Sequence, residues 1–271
     1  MQSSTTDNRR LSSPLAQWTK SVVHVTALLG LAFLLAGCTP AFERELNKMA
    51  NSLENDSPSF AQVWEMLDET HQLHWRHCTG PSFTLPVGTD VCETSDALQA
   101  RSWLRSATHA HLTSLIEAED NATLLGVFDR QFPSRYINRD ALRVIATEKL
   151  LEISGRDAAH PDILYMAAQQ AIEGQHVVQD SLTATRLFQR AWKAGNASAA
   201  NALADNHSIA QDHYNAYLWS LRCTTPCTKS VSLKSLMAQL DHREILAIQA
   251  LARDATVLEV DPAYIQGIRP L

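Results

Sequence analysis

The sequence predicts an all-α protein, and three observations carry that expectation. Apolar residues recur at helical spacing through most of the chain, a helix–loop–helix unit repeats at a fixed offset of 32, and only Thr256 to Val260 has β-strand character. The first stripe, Phe60, Val63, Trp64, Leu67, His71 and His74, follows Ser57 and Pro58, a hydroxyl able to cap and a proline suited to the first helical position. Residues 79–94 hold Gly80-Pro81, Pro86 and Gly88, so a long loop is expected there. The next helix is expected from Ser95 to about Glu119, with Trp103, Leu104, Ala107, His111 and Leu115 on its stripe. Another should run through Leu124 and Phe128 to Phe132, stopped by Pro133, and a third from Asp140 to Ile153, with Gly155 just past its end.

The repeat is the strongest signal. At offset 32, Ala167 pairs with Ala199, Ala168 with Ala200, Val177 with Ile209, Gln179 with Gln211, Asp180 with Asp212, Ala184 with Ala216 and Arg190 with Arg222. Each Asp stands where it can cap a second helix, and each Ala follows it by four. A unit of two amphipathic helices buries its apolar sides only by stacking on neighbours, and alanines at the crossings let the backbones approach.

These residues resemble the Sel-one-like repeat, a relative of the tetratricopeptide repeat. Gly174, Val177, Asp180, Ala184, Ala191 and Gly195 match one unit, and Ala199, Leu203, Asp212, Ala216 and Trp219 match the next; Asn206 replaces the loop glycine and Cys223 replaces Ala191. The resemblance covers roughly Ile163 to Cys223 and implies a short α-solenoid of antiparallel helix pairs, placed over 156–228; the residues before it read as an irregular helical region over 59–155 with a disulfide loop, and those after it, over 229–271, resemble capping helices and a tail. It also implies protein–protein interaction rather than catalysis. Tyr165, Phe188, Trp192, Tyr214, Tyr217 and Trp219 are candidate partner anchors, although such aromatics also fill the gaps between stacked helices.

The amino terminus reads as an export address. Arg9, Arg10 and Lys20 precede an apolar segment, Ser21 to Gly37, that has no charged residue and is short against the roughly 20 residues of a membrane span. Leu35-Ala36-Gly37-Cys38 resembles the lipobox of bacterial lipoproteins, which implies a signal peptide over 1–37 and lipidation of Cys38; residues 38–58 then read as a tether with a short, polar helix from Ala41 to Glu54. An uncleaved anchor and an ordinary signal peptide are the alternatives. Thr39 after the cysteine, where Asp resembles an inner-membrane retention signal, implies a periplasm-facing outer-membrane anchor in a Gram-negative host, or the outer face of the plasma membrane otherwise.

Removing residues 1–37 leaves 20 Lys and Arg against 28 Asp and Glu, a balance that disfavours nucleic acid as the main partner. Four cysteines remain besides Cys38. Of the three pairings they allow, Cys78 with Cys92 and Cys223 with Cys227 is the simplest; free buried thiols are the alternative. His71, His74 and His77 beside Cys78 are the one cluster with a metal-ligand look, but two of them extend the apolar stripe. There is no nucleophile elbow, no H-E-x-x-H and no phosphate-cradling glycine loop. No catalytic residue, cofactor or metal is therefore assigned. The sequence reads as an envelope lipoprotein that scaffolds another envelope protein, with metal, small-ligand or hydrolytic work at the His71, His74, His77 region as the alternative.

Overall fold

The computed structural model describes residues 42–78, 95–133, 137–224 and 232–267, in which there are twelve helices and no strand. They are α1 (residues 42–55), α2 (Phe60–Cys78), α3 (Ser95–Glu117), α4 (Asn121–Gly126), α5 (Arg139–Ser154), α6 (Pro161–Glu173), α7 (Ser181–Lys193), α8 (Ser198–Ile209), α9 (His213–Arg222), α10 (Leu233–Met237), α11 (His242–Ala252) and α12 (Pro262–Gly267). The all-α expectation holds. The expected signal peptide over 1–37, Cys38, residues 79–94 where a loop is expected, with Cys92, and Cys227 lie outside the described residues.

The described residues fall into two compact units, one reaching to Pro58 and running on from Gln62 to Thr108, the other made of Ser59–Ala61 and the residues from His109 onward. The boundary between them falls inside α3. The first unit has a helical core. Phe42, Leu46, Met49, Ala50 and Leu53 of α1 are buried, as are Val63, Leu67, Thr70 and His74 of α2 and Ala97, Ala100, Leu104 and Ala107 of α3. Residues 42–55 form the short helix expected in the tether, and its apolar side is packed into this core. Polar positions between the apolar ones hid a period of three to four that drives burial. Thr70 Oγ1 donates to Met49 Sδ at 2.8 Å, and Trp103 Nε1 to Glu54 Oε1 at 2.9 Å, which ties α1 to both partners.

In the second unit, α5 packs on α6, α6 on α7, α7 on α8, α8 on α9, and α9 on α10 and α11. Hydrogen bonds fix the directions. Asp180 at the start of α7 donates its N–H to the Ala171 carbonyl near the end of α6, while Asn196 beyond α7 reaches Asp162 at the start of α6 at 2.8 Å. The two helices are therefore antiparallel. Asn206, late in α8, donates to Thr185, early in α7, at 2.8 Å, so that pair is antiparallel as well.

One element differs from the expectation. α4 stops at Gly126 instead of reaching Phe132, because residues 127–132 turn back and seat Phe132 against Phe60, their rings stacked 5.4 Å apart. Thr256 to Val260, too short on its sequence to make a sheet, joins none among the described residues; side chains bind the backbone of Leu258 and Val260 instead.

Candidate functional site

Several residues paired at offset 32 have the same local part in their helices. Asp180 caps α7, its carboxylate accepting the Thr183 N–H at 3.0 Å, and Asp212 caps α9, accepting the Asn215 N–H at 3.1 Å. The Thr183 hydroxyl holds the Asp180 carboxyl below the usual range. Burial works to raise the Asp212 carboxyl, but hydrogen bonds from His207 and Asn215 outweigh it and leave it lowered. Ala184, Ala199 and Ala216 have no exposed surface, as expected of side chains at close helix crossings.

The turns differ for a visible reason. Gly174 ends α6 with φ +64°, and a Cβ there would sit 2.8 Å from the Gln179 Cβ. Gly195, with φ +104°, follows α7. In the second pair α8 continues through Asn206 to Ile209, and the left-handed residue is Gln211, φ +60°. The substitution at 206 thus goes with a longer helix and a shorter turn. Gly155, by contrast, ends α5 with an ordinary φ of −68°.

Arg190 and Arg222 both satisfy helix C-termini. Arg190 donates to the Ser154 carbonyl and, at 2.6 Å, to that of Arg156, closing the end of α5. Arg222 donates to the carbonyls of Leu251, Ala252 and Asp254 at the end of α11. One arginine reaches back along the chain and its counterpart forward. Arg222 also lies 4.9 Å from the Trp192 ring centre and 4.8 Å from that of Trp219, which meet edge to face. Burial lowers its pKa, with the Asp254 charge partly offsetting the effect.

That packing corrects the list of partner anchors. Phe188, Tyr217 and Trp219 are 2%, 1% and 0% exposed and fill the interior. Tyr165, Trp192 and Tyr214 are half-buried; Tyr165 leans on Phe188, and Tyr214 donates to Glu244. The large apolar side chains that do reach solvent in this region are Val178, Leu182 and Ile209, none of them among the expected anchors.

The histidines of α2 separate. His71 is exposed, while His74 is buried with Nδ1 3.0 Å from Arg101 Nη2, so Thr70 takes the stripe position expected of His71. The side chains of His77 and Cys78 lie outside the described residues. Among the described residues no three His, Cys, Asp or Glu side chains are placed to hold a metal ion. Cys223 is disulfide-bonded, and its expected partner, Cys227, is outside the described residues.

A cleft of about 440 Å³ opens beside α6. The α4–α5 turn contributes Phe128 and Arg130, and α5 contributes Arg143; α6 and the loop after it contribute Met166, Gln170, Glu173, Gln175 and His176. Arg143 is oriented by the turn it faces: its Nε and Nη2 donate to the carbonyls of Val127 and Phe128 at 3.2 and 3.4 Å, and its guanidinium lies 5.9 Å from the Phe128 ring centre. Sequence reasoning missed this cleft, because its residues come from separate segments and share no motif.

No known protein family, curated protein or solved structure matches the chain.

Proposed function

We propose that the protein is a lipid-anchored scaffold of the bacterial envelope, in which the helix pairs α6–α7 and α8–α9 are two units of a short α-solenoid of the Sel-one-like type that bind another envelope protein. The observation that carries this reading is recurrence in place as well as in sequence: at offset 32, two Asp caps, two buried alanines and two helix-capping arginines stand in consecutive helix pairs that pack in chain order. Helix pairs that stack on their neighbours make extended surfaces suited to protein partners. The apolar run ending at Cys38 supports the anchor, and the acidic balance of the remaining chain supports a partner other than nucleic acid.

The test has two arms. Labelled palmitate should enter the full-length chain but not its Cys38→Ala variant, which should leave the membrane fraction. A photo-crosslinker at Leu182 or Ile209, in native membranes, should capture a discrete envelope protein. Label that persists in Cys38→Ala would overturn the anchor, and crosslinks only to random abundant proteins would overturn the scaffold.

A further inference from the structure

The cleft beside α6 has a composition that points to a ligand. At about 440 Å³ it falls in the size range of small-molecule sites. Two guanidiniums line it, those of Arg130 and Arg143, in a chain with an acidic balance. Neither is paired with a carboxylate among the described residues: Arg143 meets backbone carbonyls, and Arg130 is exposed without an ion pair. Arg139, one turn before Arg143, also donates to the Val127 carbonyl at this turn, where the charges of Asp129 and Asp140 act on it, so the guanidiniums of Arg130 and Arg143 are the ones left to a ligand.

The remaining lining narrows the ligand class. Gln170 is 4% exposed, yet its amide nitrogen meets only the Met166 sulfur, at 3.9 Å. A thioether is a weak acceptor, so a buried amide in this position gains from a ligand carbonyl. Glu173, on the last turn of α6, belongs to the same cleft as the two guanidiniums. A carboxylate there repels a dense anion such as phosphate but attracts an ammonium group. Guanidiniums, in turn, match the planar fork of a carboxylate.

We propose that this cleft binds a zwitterionic ligand of the amino-acid or short-peptide class, with its carboxylate on Arg130 and Arg143, its ammonium on Glu173 and a peptide carbonyl on Gln170. The site is independent of the scaffold reading and stands or falls on its own.

The probe is alanyl-alanine, compared with its amidated and its N-acetylated forms, each titrated by ligand-observed NMR onto the full-length protein in detergent micelles. Capping either end should weaken binding about tenfold or more, the usual worth of one charge-assisted contact. Arg130→Gln should weaken the free dipeptide and the acetylated form alike. Glu173→Gln should weaken the free dipeptide and leave the acetylated form unchanged, a cross-pattern that general unfolding cannot produce. Both side chains are exposed, so the variants should keep the fold. Equal binding of all three dipeptides, no binding at millimolar concentration, or tighter binding of inorganic phosphate would each overturn the proposal.

Discussion

The side-chain amide of Asn215 pairs with the backbone of Val260 as a neighbouring strand would: the Val260 N–H donates to Oδ1 at 2.7 Å, and Nδ2 donates to the Val260 carbonyl at 3.2 Å. Both residues are buried, Asn215 6% and Val260 3% exposed. Asn215→Ala strands a donor and an acceptor in the interior, which should cost about 2–4 kcal/mol. The urea midpoint should fall with the slope unchanged; a midpoint equal to that of the parent would show that the contact does not hold the tail.

Arg222 joins a cation–π contact on each side to three carbonyls beneath it. A lysine has neither the planar face nor the fork of donors. Arg222→Lys is therefore expected to destabilise by about 1–3 kcal/mol, counting the lost stacking and the unpaired carbonyls. Thermal melting checks this, and a melting point within a degree of the parent would refute it.

Acid should weaken the second unit through Glu119. Its carboxyl is brought down from 4.5 to about 2, chiefly by the hydrogen bond from Arg156, with Lys149 adding to the effect. A folded-state pKa below the unfolded value gives stability that is present above pH 4.5 and disappears as pH falls through about 2. Glu119→Gln should melt below the parent at neutral pH, with the gap closing across that acid window. The Glu119 and Arg156 side chains are 34% and 49% exposed, so salt should narrow the gap. A gap that does not change with pH would exclude the ion pair as its source.

Two glycines should respond differently to alanine. Gly174→Ala meets a left-handed φ of +64° and the Gln179 Cβ at 2.8 Å, and should destabilise by about 1–2 kcal/mol. Gly155→Ala has φ −68° and a single tight neighbour, the Glu152 carbonyl at 3.3 Å, and should change stability by less than about 0.5 kcal/mol. Chemical denaturation of the pair gives the comparison; equal effects would remove the conformational explanation.

Helix content was readable wherever a buried face was broad. The α5 stripe and the alanine positions of α6 to α9 stand out because period and spacing are local properties of the chain. The α1 core was hidden, since Phe42, Leu46, Met49 and Leu53 alternate with Glu43, Arg44, Glu45 and Lys48 and average to a polar segment. His71 went to the stripe because sequence alone cannot decide between it and Thr70 one position earlier. That aromatics such as Trp219 fill gaps between helices is a general expectation, but its particular neighbours are not local in the chain: Trp192 meets it from α7 and Arg222 from the next turn of α9. The cleft depends on a turn and two helices coming together, a relation that no window along the chain contains.

The far flank of α9 is already spoken for. Leu236, Ile248, Val260 and Ile265 close over Ala216, Tyr217 and Leu218. A third hairpin grafted after Arg222 would have to evict α10, α11 and the tail before it found anything greasy to rest on, so the chain carries its own full stop and should not lengthen end to end from that side.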